Sequence, residues 1–158
     1  MTQPPGNSFD ALLPAAMAAK AEELGEKKAN LAPMAMLALA VLAGAFIALG
    51  ANFATTVSAG AAGSMPFGVA RLLAGVVFSL GLILVVVAGA ELFTGNNLIV
   101  MAWASGKVST SLLLHNWAIV YAGNFGGAMA TVGLVYLSGQ YEFGNRSEER
   151  RVGKECRL

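Results

Sequence analysis

The sequence predicts an all-α integral membrane protein with three transmembrane helices, the second of them broken by a loop, preceded by an N-terminal amphipathic helix. Three observations carry this. Apolar residues make up 56% of the 158-residue chain, charged residues only 12%, and the mean hydropathy is +0.65. Between Ala29 and Tyr141 the charged residues are Arg71, Glu91 and Lys107 alone, too few to keep the surface of a water-soluble fold hydrated. The uncharged tracts are also longer than the roughly 20 residues that cross a bilayer core.

The chain divides into residues 1–30, a cytoplasmic segment with the amphipathic helix, residues 31–143, a three-span membrane unit, and residues 144–158, a charged tail. Residues 1–7 are rich in Pro, Gly and Asn and are expected to be disordered. Asn7 or Ser8 is placed to cap a helix in which Phe9, Leu12, Leu13, Ala16, Met17 and Leu24 fall near helical spacing. Pro14 requires that helix to start late or bend. Lys20, Glu22, Glu23, Glu26, Lys27 and Lys28 make its end polar, and Gly25 is expected to stop it. The pattern fits a helix lying along the membrane face.

The first span is read over 31–57, uncharged throughout, with Gly44 and Ala48 as a small-residue pair that lets another helix approach. A loop of small residues follows from Ser58 to Pro66. The next tract, 67–104, is too long for one crossing: its uninterrupted part would run about 55 Å as a single helix, against a core of roughly 30 Å. It also contains Gly89, Glu91, Thr94, Gly95, Asn96 and Asn97, poor helix formers in an otherwise apolar run. A break over Gly89 to Asn97 resolves both problems. Irregular backbone at membrane depth survives only where protein or a water-filled cavity satisfies it, so a break of this kind points to a transport site. The third span is read over 109–138, with Gly123 and Gly127 forming a GxxxG packing face. Trp103, Trp117 and Tyr136, and His115 with Asn116, are expected near the membrane interfaces.

Lysines 20, 27, 28 and 107 lie on one side of the predicted spans. The excess of basic residues there puts the N-terminus in the cytoplasm and the residues after Ser138 outside. The tail RSEERRVGKECRL breaks this bias and differs in texture from what precedes it, and residues from about 146 are expected to be foreign to the native protein. The opening residues carry no basic and apolar signal-peptide pattern, so the first span is expected to direct insertion. A net charge of +1 without a basic stripe offers no nucleic-acid surface. The single cysteine, Cys156, excludes a disulfide framework. No nucleophile–base pair, phosphate loop, metal-ligand cluster or cofactor motif is visible, so the chain does not read as an enzyme.

The blocks Met65-Pro66-Phe67-Gly68, Phe78-Ser79-Leu80-Gly81-Leu82-Ile83-Leu84 and Gly89-Ala90-Glu91-Leu92-Phe93-Thr94-Gly95-Asn96, with FDALLPAAMAAKAEELGEKKA and HNWAIVYAGNFGGA, closely resemble the formate/nitrite transporter family, nearest to its formate channels. The resemblance covers roughly residues 8–143. It implies one inverted repeat of an aquaporin-like six-helix channel protomer, assembled as a homopentamer in a bacterial-type cytoplasmic (inner) membrane and passing formate, nitrite or a similar small monovalent anion, with or without a proton. By motif position it implies that Phe78 belongs to an outer constriction, that Leu82 and Phe93 belong to an inner one, and that Thr94 faces the pore from a gating loop with Gly89, Glu91, Gly95 and Asn96. The family's central pore histidine, in its fifth span, and a partner lysine in its second half have no counterpart here, and His115 does not replace that histidine. Two other readings remain open from the sequence: a truncated, non-functional piece of such a channel, and a membrane anchor subunit of a respiratory complex. The second is weakened by the single histidine, since haem ligation usually needs two.

Read residue by residue, Glu91 is the only acid in the hydrophobic region and needs a partner or a function, because an unpaired carboxylate at the bilayer centre costs about 2.5–3.5 kcal/mol on insertion scales. Either it handles protons near the pore or it accepts hydrogen bonds from the loop. Thr94 offers a hydroxyl that can donate to an anion or to loop backbone. Asn124 fits an interhelical hydrogen bond.

Overall fold

The computed structural model describes residues 12–59, 61 and 64–140. The expected caps at Asn7 and Ser8 and the charged tail lie outside the described residues. Among the described residues six helices follow in order: α1 Pro14–Ala29, α2 Pro33–Ser58, α3 Phe67–Ala88, α4 Phe93–Asn96, α5 Ile99–Ala104 and α6 Thr110–Leu137. Among the described residues there is no strand. α2, α3 and α6 are each long and apolar enough to cross a membrane.

Local chemistry explains the ends of these helices. Pro14 and Pro33 occupy the first turns of α1 and α2, where a missing N–H costs nothing and φ is pre-set. Ser109 caps α6, its hydroxyl accepting from the Leu112 N–H at 3.3 Å. Gly89 ends α3 in the left-handed region, φ 62°, a conformation that glycine adopts without penalty. Gly25 does not stop α1, contrary to the sequence expectation. The helix runs through it to Ala29 because Gly25 is buried against α5, where an added Cβ would lie 3.2 Å from the Ala102 Cβ.

α2 is the central element, packing α6 on one side and α3 on the other. Both contacts are close backbone approaches. A Cβ at Gly127 of α6 would overlap the Val41 carbonyl oxygen, one at Gly44 of α2 would overlap the Asn124 backbone, and one at Gly123 would lie 2.5 Å from the Ala40 Cβ. These glycines replace side-chain interdigitation by backbone contact, which suits helices whose surroundings are as apolar as they are. On the other flank, α3 meets α2 through Gly81 and Gly50. Three small buried clusters complete the packing: Ala29, Ile99, Ala102, Val108 and Leu113 join α1, α5 and α6; Met36, Ala40 and Val120 join α2 and α6; Ala43, Val85 and Ala90 join α2, α3 and the break.

α1 lies against α5 and the turn that follows it. Glu22 accepts from Lys107 Nζ and from the Ser105 hydroxyl at 2.8 and 2.7 Å. The hydrogen bond from Lys107, then that from Ser105, holds the Glu22 carboxyl below its ordinary value near 4.5. The bond to Glu22 holds the Lys107 ammonium above its ordinary 10.5. A depressed acid contributes stability above its ordinary value and loses it as pH falls through the lowered one. A raised base contributes below its ordinary value and loses it as pH rises through the raised one. The clasp is therefore intact between about pH 4.5 and 10.5 and opens at both extremes. The protection of α1 amides, meaning the slowing of their exchange relative to the intrinsic rate at the same pH, is expected to be high across that window and to fall on acidification below it, and with added salt at neutral pH, because the pair is exposed.

Candidate functional site

Between α3 and α5 the chain leaves the helical path at Gly89, runs extended through Leu92, makes the single turn α4 and re-enters as α5. The backbone of this break is tied on both sides. The Glu91 N–H donates to the Leu39 carbonyl of α2 at 3.2 Å. The Asn124 side chain of α6 accepts from the Phe93 N–H at 2.9 Å and donates to the carbonyls of Glu91 and Ala40 at 2.9 and 2.8 Å. One amide thus satisfies three backbone groups on two elements, which is what irregular backbone in an apolar layer requires.

The side chains of the break form a second, buried layer. Glu91, 5% exposed, accepts from Lys28 Nζ at 2.6 Å. The same ammonium donates to Asn96 Oδ1 at 3.3 Å. Asn96 donates to Asn116 Oδ1 at 2.9 Å, and Asn116 donates to the Lys28 carbonyl at 3.2 Å and to Met36 Sδ at 3.5 Å. Trp117 Nε1 donates to the Asn96 carbonyl at 3.3 Å. The network closes on itself: α1, the break and α6 are joined through Lys28, Asn96 and Asn116, with Glu91 supplying the countercharge. Among the described residues Glu91 Oε2 is buried with no hydrogen-bond partner.

Lys28, Asn116 and Trp117 were not singled out by the sequence as site residues. Asn116, expected with His115 near a membrane interface, is fully buried, whereas His115 is exposed. Trp117, also expected near an interface, packs its ring 6.0 Å from Phe93. One signal was available: Asn116, Val120, Gly123 and Gly127 follow one another at four-, three- and four-residue steps, which places the asparagine on the packed face of α6 rather than at its end.

Phe93 stands where the break meets α6. Its ring lies 5.7 Å from that of Tyr121, nearly edge-on at 76°, a favoured aromatic geometry. Phe93, Leu92, Gly44, Ile47, Tyr121, Asn124, Phe125 and Ala128 line an open apolar groove of about 310 Å³. Thr94 is exposed, and among the described residues no group bonds to its hydroxyl. Gly95 lies in α4 with open space where a Cβ would be. Phe78 and Leu82, one turn apart on α3, are 42% and 50% exposed. The site therefore gathers Glu91 and Asn96 around Lys28 and sets Phe93 against α6, while Phe78 and Leu82 stand on the open face of α3.

Three apolar helices with a hydrogen-bonded break in the second define a polytopic membrane protein of the solute-transporter type. The sequence matches the formate/nitrite transporter family over residues 15–154, an interval that extends into the charged tail, and the chain belongs to that family. It is 51% identical over 139 residues to the formate channel FocA of Escherichia coli K12, covering 88% of this chain and 48% of that protein. Formate channel FocA of Haemophilus influenzae is 40% identical over 130 residues, 82% of this chain and 45% of its own length. A probable formate transporter of Methanothermobacter thermautotrophicus is 39% identical over 128 residues, 78% and 45% of the two chains. The chain spans about half the length of the curated relatives it matches.

Proposed function

We propose that this chain is the first three-helix repeat of an aquaporin-like six-helix protomer, and that the complete protein conducts formate or a similar small monovalent anion across a bacterial-type inner membrane as a homopentamer. The N-terminus and α1 lie on the cytoplasmic side. The observation that carries the reading is the break: an irregular segment tied by Asn124 and by the Lys28–Glu91–Asn96–Asn116 network, holding Phe93 at a groove with the Thr94 hydroxyl free beside it. The names of the relatives favour formate over nitrite.

In this mechanism Phe78 forms the outer constriction, and Leu82 with Phe93 forms the inner one. Apolar constrictions strip water from an anion and so favour passage of the neutral acid, which carries its proton along. Thr94 donates a hydrogen bond to the solute between them. Gly89, Glu91, Gly95 and Asn96 belong to a loop that gates the cytoplasmic mouth. Glu91 acts there as the countercharge of Lys28, whose ammonium donates to its Oε1 at 2.6 Å.

Proteoliposomes holding the product of the complete native gene are expected to take up formate above the empty-liposome background. Thr94→Val is expected to slow uptake by about tenfold, the kinetic equivalent of one lost hydrogen bond of roughly 1.4 kcal/mol. Uptake that matches the background in the unsubstituted protein would reject the reading.

A further inference from the structure

Arg71 is the one charged residue between Lys28 and Glu91. It lies in the second turn of α3, at the end of the bundle opposite α1. The ion pairs among the described residues, Lys20–Glu23, Lys28–Glu91 and Lys107–Glu22, all involve α1. Arg71 is exposed and has no carboxylate partner among the described residues. Its guanidinium sits over the Phe67 ring, 5.1 Å from the centroid, a cation–π contact that fixes the group without neutralising it. The charge also lies near the N-terminal, positive end of the α3 dipole, where a cation is electrostatically disfavoured.

Arg71, Gly75, Phe78 and Leu82 follow at four-, three- and four-residue steps, so they share one stripe of α3. All four are exposed. At 1.5 Å per residue Arg71 stands about 10 Å before Phe78 and about 16 Å before Leu82 along the helix. A positive charge with no carboxylate partner among the described residues thus heads the stripe on which both proposed α3 constriction residues lie.

We infer that Arg71 is a positioning residue for solute entry: it raises the local concentration of small anions at the outer mouth, ahead of the Phe78 constriction. This rests on the conduction proposed above. Low-dielectric walls around a single sign of charge focus the field, and such steering raises encounter rates by roughly 10-fold or more at low ionic strength. Arg71 acts on arrival and not on passage, so its effect belongs to the regime of dilute solute and vanishes at saturation.

The test is the initial rate of formate uptake by proteoliposomes holding the complete native gene product, at low and high concentrations of an impermeant salt. Arg71→Gln is expected to lower uptake of dilute formate by about 5- to 10-fold at low ionic strength, to match the unsubstituted protein at saturating formate, and to abolish most of the salt dependence. Arg71→Lys keeps the charge and is expected to stay within about twofold by the same argument. The unsubstituted protein gives an independent reading, since its uptake of dilute formate must fall as salt rises. Equal uptake by Arg71→Gln and the unsubstituted protein at low salt would overturn the inference. So would a loss confined to vesicles with anionic lipid, which would assign Arg71 to a lipid headgroup instead. No uptake by the unsubstituted protein would reject conduction itself, an outcome distinct from both.

Discussion

Replacing Lys28 by methionine is expected to destabilise the protein by about 3 kcal/mol, because removing one partner of a buried ion pair leaves the other charge uncompensated. The partner is Glu91, whose side chain is 6% exposed, and Lys28 itself is 30% exposed. The same change also strips Asn96 Oδ1 of a donor. The loss should appear as a lower unfolding midpoint in detergent. Pairing Lys28→Met with Glu91→Gln should recover part of it, since the double variant no longer buries a lone carboxylate. If Lys28→Met unfolds together with the unsubstituted protein, the ion pair does not hold the break.

Gly127→Ala is the second large effect, expected at about 2–3 kcal/mol. The added methyl would overlap the Val41 carbonyl oxygen, and relief requires moving the backbone of α2 or α6 rather than a side chain. Gly44→Ala meets the Asn124 backbone in the same way, and it also threatens the amide that ties the Phe93 N–H. Gly126→Ala supplies the control. That site has open space around the new atom, so its effect should stay within about 0.5 kcal/mol. Equal unfolding midpoints for Gly126→Ala and Gly127→Ala would show that α2 and α6 are not packed backbone to backbone.

The three spans were legible because hydropathy and length are local properties, and a bilayer imposes both. The break was legible for a related reason: Gly89, Glu91 and Asn96 each conflict with a continuous apolar helix, and their conflicts fall within eight residues of one another. What answers those conflicts was not legible. Lys28 lies 63 residues from Glu91 and reads in sequence as one more charge at the end of a polar helix. Only the docking of α1 on α5 brings it under the break. Gly25 misled for the same reason, since a glycine that permits close packing and one that ends a helix look alike until the neighbour is known. Asn124 was recognisable as a hydrogen-bonding residue in an apolar helix, but not as the group that satisfies the break itself. Phe78 and Leu82 are the opposite case. Their exposure on α3, 42% and 50%, resembles that of Leu80 and Ile83, 42% and 53%, so family resemblance, and not local chemistry, sets them apart from lipid-facing residues.

The most direct test of the account is aqueous accessibility of the break. In the complete native gene product with its own cysteines replaced by serine, Thr94→Cys and Val87→Cys would be treated with a small charged thiol reagent, with and without formate. The account predicts rapid labelling of the cysteine at position 94, slowed by formate, and little labelling at position 87, which is 80% exposed on an apolar helix and would face lipid. Labelling at 87 but not at 94, or labelling at 94 that formate leaves unchanged, would contradict a solute path that runs past the break.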